Sequence, residues 1–217
     1  MQSSTRDGAL VSLLIIVLVG AVGQITIGGI TRVTGSGDGC PDWPTCFGKW
    51  IPPFEYHAII EYGHRSFGVL LGLSIIVACW RVYVKHKSDK GLIRLCFTTL
   101  LLTIIVGLLG GAVVLNNLDP GIRTLHLMLA QIIVFLSVLS LVSATNSRTN
   151  NPQTVGKWLY WSVIKTHKKN LTNLVISGSL ILLTILSGSY AVWSQAGFYC
   201  TSWPLCGRGP FIPDEFL

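Results

Sequence analysis

Residues 9–30 read ALVSLLIIVLVGAVGQITIGGI, a run without one Asp, Glu, Lys or Arg. A bilayer core of roughly 30 Å needs about 20 apolar residues in helical form, so this run can cross one. Working outward along the chain, four more runs meet the same requirement, at about 59–84, 92–115, 122–144 and 171–193. The first does not read as a cleaved leader. It begins late after Met1, is punctuated by glycine, and leads into Thr31-Arg32-Val33-Thr34 rather than a small-residue cleavage site. Composition agrees: of 217 residues half are hydrophobic and 12% charged, and the mean hydropathy is +0.60. A soluble domain carries about 25% charged residues. A soluble globular protein and a disordered chain are both excluded, and six cysteines are too few for a disulfide scaffold of this length.

The formal charge of +7 could indicate nucleic acid, an anionic lipid surface or membrane topology. Position decides. Arg6, the segment with Arg81, Lys85, Lys87, Lys90 and Arg94, and the segment with Arg148, Lys157, Lys165, Lys168 and Lys169 hold eleven of the sixteen Lys and Arg. The alternate segments hold only Arg32, Lys49, Arg65, Arg123 and Arg208. Positive residues stay on the cytoplasmic side, which predicts a multi-pass protein of the cell membrane. Its N-terminus is cytoplasmic, its cysteine-containing loops lie on the outer face, and no nucleic-acid partner is expected.

Those loops carry a repeated motif. Gly39-Cys40-Pro41-Asp42-Trp43-Pro44-Thr45-Cys46 and Tyr199-Cys200-Thr201-Ser202-Trp203-Pro204-Leu205-Cys206 share the spacing C-x5-C with Trp-Pro between the cysteines. The outer compartment permits disulfides. Free thiols or half of a metal site are the alternatives, although zinc favours closer cysteines with further ligands nearby. Cys79 and Cys96, in apolar runs, read as inert core residues. The motifs are offset by 160 positions, and the same offset maps Gly28 onto Gly188 and Gly37 onto Gly197. An internal repeat is a fold-level signal in membrane proteins. The expected architecture is therefore an all-α integral membrane protein. Residues 1–145 form a four-helix bundle with an outer cysteine loop, and 146–170 a cytoplasmic linker. Residues 171–217 supply a fifth transmembrane helix and a second cysteine loop, which begin an incomplete second repeat.

Ionisable groups inside membrane helices are costly and mark function by default. The second run opens with Ile60-Glu61-Tyr62-Gly63-His64-Arg65, and the fourth contains His126 in Thr124-Leu125-His126-Leu127-Met128. Glu61 and His64, three apart, share a helix face. Both helices are expected to run from outside to inside, with His64 and His126 within about two turns of their starts. Two neutral imidazoles at one depth suit the axial positions of a haem iron. The alternative is a hydrogen-bonded contact between helices. A bare transition metal fits less well, with only one carboxylate beside two histidines. His57 falls in the outer loop, and His86 and His167 among lysines read as solvated surface. Gly68, Gly72, Gly107, Gly110 and Gly111 offer small faces to a neighbouring backbone or a flat ligand.

Taken together and in order, the following residues resemble haem A synthase: Gly28-Gly29-Ile30-Thr31-Arg32-Val33-Thr34-Gly35-Ser36-Gly37, then Cys40-Pro41-Asp42-Trp43-Pro44 and Cys46-Phe47-Gly48. So do Glu61-Tyr62-Gly63-His64-Arg65 and Gly110-Gly111-Ala112-Val113-Val114-Leu115 with His126 downstream. The resemblance covers essentially the whole chain. It implies an eight-helix membrane protein of two similar halves that oxidises a methyl group of haem O to the formyl group of haem A, for terminal respiratory oxidases. His64 and His126 would flank the haem substrate as iron ligands and share the catalytic site with Glu61, the carboxylate needed for the oxidation. Cys40–Cys46 would be the outer-loop disulfide, with Cys200–Cys206 its repeat. Arg65 or Arg32 is expected to pair with haem propionates, because guanidinium matches carboxylate geometry. The expected partners are haem O, a haem O synthase, a quinone or another electron acceptor, and further copies of this chain.

In that family the second half holds haem b through its own histidine pair. At the 160-residue offset the counterparts of Glu61 and His64 would fall at 221 and 224, beyond Leu217. The expectation is a fragment or truncated reading frame, or a half-size form that assembles with copies of itself. Two other functional readings stand beside the enzyme: a bis-histidine haem carrier or electron-transfer protein without ring chemistry, and an inactive remnant. Glu61 separates enzyme from carrier, since axial ligation alone does not need it.

Overall fold

A computed structural model describes residues 7–146 and 168–194. Five helices run as α1 Gly8–Val33, α2 Tyr56–Lys85, α3 Lys90–Leu115, α4 Pro120–Asn146 and α5 Lys168–Trp193. All five are long and apolar enough to cross a membrane. At 1.5 Å per residue they measure roughly 39–45 Å, so each overreaches a bilayer core by a turn or more. The Cys200–Cys206 pair, Arg208 and most of the linker lie outside the described residues.

Short polar signals start and stop these helices. Asp7 caps α1 by accepting the Leu10 N–H at 3.1 Å, and Asp89 caps α3 through Leu92 at 2.9 Å. Asp119 accepts from Ile122 at 3.0 Å, with Pro120 at the first helical position of α4. At the other end of α1, Ser36 N–H reaches Thr31 C=O at 2.8 Å and Gly35 N–H reaches Arg32 C=O at 3.1 Å, around Gly35 at φ +65°. This is a Schellman stop, and its left-handed residue is the reason for glycine. α3 ends the same way: Leu118 bonds back to Val113 and Asn117 to Val114, with Asn117 at φ 51°.

The first four helices close into a ring in which α1 packs on α2, α2 on α3, α3 on α4 and α4 back on α1, while α5 lies against α4. The densest packing is at the end holding the N-terminus, the α2–α3 turn and the C-terminus of α4. There Leu10, Leu14, Val17, Ile75, Ala78, Cys79, Val82, Leu92 and Cys96 are buried in one cluster. Cys79 and Cys96 are free thiols in that core, as expected of them. The same end is tied by Asp7, which takes a two-nitrogen grip from Arg81 (2.6–3.2 Å) and a contact from His86 at 3.0 Å. His86 is thus engaged rather than solvated, because the α1 cap brings a carboxylate to it. Outward, Ile16, Val19, Leu70, Trp80, Leu101 and Leu108 are exposed, the all-round apolar surface of helices that face lipid.

Candidate functional site

The other end is built around the loop between α1 and α2. A disulfide joins Cys40 to Cys46 with a Cα–Cα distance of 4.7 Å, and both are fully buried. Inside the ring so formed, the Asp42 carboxylate accepts from the Phe47 N–H (2.5 Å), the Gly48 N–H (3.0 Å) and the Thr45 hydroxyl. The Thr45 contact, with these two N–H donors, holds its carboxyl below the ordinary carboxylate range. The loop then docks on the bundle: a Cβ at Gly111 of α3 would lie 2.7 Å from the Trp43 ring, and one at Gly39 only 2.2 Å from the His57 carbonyl. His57 is exposed but holds the Ser36 hydroxyl at 2.9 Å.

Arg65 is the strut beneath this loop. Its Nε donates to Glu61 Oε1 at 3.0 Å, Nη1 to the carbonyls of Asp42 (2.7 Å) and Thr45 (2.9 Å), and Nη2 to that of Cys40 (3.0 Å). The i,i+4 spacing on α2 aligns carboxylate and guanidinium, and Glu61 is only 5% exposed. A carboxylate so far from water needs a partner of this kind. Arg65 is therefore drawn into the protein by Glu61 and the loop.

Beneath the loop stand the two histidines. His64 is eight residues past Tyr56, the start of α2, and His126 six past Pro120, the start of α4. That places them roughly 12 and 9 Å along two helices that start at the same end and run parallel. Each ring is faced by a glycine of a neighbouring helix. A Cβ at Gly28 of α1 would be 3.0 Å from His64 Cε1, and one at Gly110 of α3 would be 3.2 Å from His126 Cε1. The His126 Nδ1 is buried without a hydrogen-bond partner. His64 Nδ1 faces the Gln24 amide at 3.3 Å.

Sequence reading picked out Glu61, His64, Arg65 and His126, and the fold brings all four to one end. It also singled out Gly110 and Gly68 as small faces. Gly110 abuts His126, and Gly68 abuts Gln24 at 3.1 Å, whereas Gly72 and Gly107 meet nothing within 4 Å. It missed Gln24, whose signal was an amide inside the first apolar run. It also missed the stack at the rim, where Arg32 and Arg123 lie 4.8 and 4.3 Å from the ring centroid of Trp193 on α5. The Arg123 Nε is buried there without a partner.

Paired imidazoles with an orphaned ring nitrogen, spaced by glycines and roofed by a buried carboxylate, suit a flat metal-bearing ligand. Among the described residues no cluster of three or more His, Cys, Asp or Glu forms a chelate for a bare ion. The fold defines a multi-pass membrane helical bundle with paired histidines at its loop end. The chain belongs to the cytochrome oxidase assembly protein family (COX15-CtaA), whose model matches residues 11–59 and 51–217. Curated relatives named heme A synthase include that of Symbiobacterium thermophilum, 31% identical over 186 residues (83% of this chain and 58% of the relative). That of Shouchella clausii is 31% identical over 209 residues, 93% and 65% of the two chains. That of Macrococcus caseolyticus is 28% identical over 201 residues, 88% and 63%. The chain thus spans less than two thirds of the length of these relatives. No solved structure matches it.

Proposed function

We propose that this chain takes part in oxidising a methyl group of haem O to the formyl group of haem A, with the substrate held between His64 and His126. The observation that carries this reading is the pair of imidazoles at one depth, each packed so closely on a glycine of the neighbouring helix that a Cβ there would lie 3.0–3.2 Å from the ring. Oxidising methyl to formyl formally removes four electrons from one carbon, which go to an acceptor such as a quinone, and adds one oxygen atom, which then comes from water with release of four protons. The porphyrin iron supplies the redox chemistry when bound. The chain's own residues orient the ring and handle protons. Glu61 is the group to take protons released at the methyl carbon, or to stabilise positive charge developing there. Its hydrogen bond to Arg65 holds the carboxylate in place and links it to the disulfide loop. With Arg65 so engaged, the propionates fall to Arg32 and Arg123 at the rim, where the Arg123 Nε has no protein partner.

In this reading α1–α4 with the loop form one repeat over residues 1–145, and α5 is the first helix of another. The asymmetry of Lys and Arg supports a cytoplasmic N-terminus and an outer cysteine loop in the cell membrane. The test is chromatography of haems extracted from the full chain expressed in a host that makes haem O. Haem A, or a hydroxylated precursor, is expected from the unsubstituted chain, and retained haem O without product from Glu61→Gln. Product from Glu61→Gln at the unsubstituted level would overturn the role of Glu61. Recovery of haem O alone from the unsubstituted chain would overturn the activity for this chain.

A further inference from the structure

The Gln24 side chain is the one amide on the inner face of α1, and its surroundings are unusual. Its Nε2 lies 3.3 Å from His64 Nδ1 and 3.1 Å from the His64 carbonyl. Its Oε1 is buried with no partner. From behind, Gly68 leaves space only for this group: a Cβ there would be 3.1 Å from Nε2 and 3.6 Å from Cδ. An unpaired amide oxygen at membrane depth costs free energy that a leucine in the same place would not. The local packing alone therefore gives no reason for glutamine.

The tautomer of His64 supplies one. With the amide nitrogen toward the ring, Nδ1 is an acceptor and the neutral imidazole carries its proton on Nε2, which then has no lone pair to offer a metal. A half-turn about the last side-chain bond exchanges the two amide atoms, which occupy nearly the same volume. The oxygen then accepts the Nδ1 proton, Nε2 is left free, and the orphaned oxygen is satisfied. The exchange also sets the amide oxygen against the His64 carbonyl and moves the NH2 to the unpartnered position, a cost that ligation of Nε2 must offset. Metal-binding histidines are generally fixed in this way, by an acceptor on the nitrogen away from the metal. His126 has no side chain in this position.

We propose that Gln24 is the positioning residue of the His64 ligand: its amide oxygen takes the Nδ1 proton and so presents Nε2 to the iron of a porphyrin in the bundle. The inference rests on the haem reading above and adds an inequivalence between the ligands, one supported by a side chain and the other not.

The test uses the full chain in lipid nanodiscs, titrated with iron protoporphyrin IX and followed by absorption and electron paramagnetic resonance, with melting of the haem-free protein in parallel. Gln24→Leu is expected to lose ~10-fold to 100-fold in haem affinity, the range for loss of such a supporting partner. A high-spin fraction should appear as His64 disengages. Its haem-free melting temperature should be unchanged or higher, since the orphaned oxygen is gone. Gln24→Glu should restore affinity and a low-spin spectrum, with a lower midpoint potential because a carboxylate acceptor makes the imidazole a stronger donor. Gln24→Met provides the same removal if the leucine variant fails to fold.

Wild-type affinity and spectrum in both apolar variants would overturn the proposal. So would a fall in melting temperature that tracks the loss of haem and is not relieved by Gln24→Glu, because that is the behaviour of a packing residue. If the unsubstituted chain itself gives no low-spin bis-histidine spectrum, the haem reading fails first and the role of Gln24 falls with it.

Discussion

At the end of the bundle opposite the disulfide loop, Leu10, Leu14, Ile75, Val82 and Leu92 meet side chain to side chain and are almost sealed from solvent. At the loop end the same four helices meet through Gln24, Gly28, His64, Gly110 and His126, with glycines facing imidazoles and polar atoms left without partners. The first end closes down to a gap of about 10 Å³ among Val17, Ile75, Cys79, Cys96, Ser137 and Ser140, a space at the threshold for one water. The second end trades apolar contact for small residues and ring nitrogens. One region meets through apolar side chains, and the other through imidazoles packed on glycines. The disulfide loop belongs to the second, since Arg65 binds it to the Glu61 carboxylate, one turn before His64 on α2.

The sharpest way to break this division is to exchange the effects of its two halves. His126→Ala should abolish the low-spin haem spectrum outright while leaving the haem-free melting temperature within a few degrees of the parent. Titration with iron protoporphyrin IX checks it, and retention of a six-coordinate spectrum would dissolve the assignment. In the opposite half, Ile75→Ala should do the reverse, costing about 3 kcal/mol of stability through the cavity it leaves while the spectrum at saturating haem is retained. Chemical denaturation in mixed micelles reads this directly.

Arg65→Leu tests the link between loop and site. It leaves the Glu61 carboxylate buried without its partner and frees three loop carbonyls, so a loss of about 3 kcal/mol is expected, together with faster reduction of the Cys40–Cys46 bond by added thiol. Unchanged reduction kinetics would show that Arg65 does not clamp the loop. A milder change, Gly28→Ala, puts a methyl 3.0 Å from His64 Cε1. It should lower haem affinity several-fold with little effect on melting, and equal losses in both would move Gly28 from the site to the packing.

The smallest effect is expected at Asp7. The hydrogen bond from Arg81, joined by His86 and the Leu10 N–H, holds its carboxyl well below the ordinary value near 3.8. A carboxyl that titrates lower in the folded state contributes stability above its unfolded pKa and loses it as pH falls toward the folded one. Melting temperature should therefore drop more steeply below about pH 4 in the parent than in Asp7→Asn. At neutral pH the variant should be less stable by about 0.5–1 kcal/mol through the lost charge pairing with Arg81, since Asn still caps the helix. Parallel acid profiles for the two proteins would rule this contribution out.

Much of this molecule is written in one dimension. Five apolar runs became five helices because a backbone in hydrocarbon must satisfy its own hydrogen bonds. Asp7, Asp89, Asp119, Gly35 and Asn117 mark their ends through contacts no more than five residues away. The C-x5-C loop closes on itself over a similarly short span. His64 and His126 were legible as a pair because depth in a membrane helix is read by counting from its start. Long-range relations were not legible. Nothing in the order of residues says that Arg65 turns to the loop carbonyls instead of outward, that Gly28 rather than Gly29 faces His64, or that Gln24 reaches a ring forty positions away. Those follow from the rotation of each helix about its own axis. The rotation is fixed by packing against neighbours, and a sequence apolar on every face leaves it undetermined.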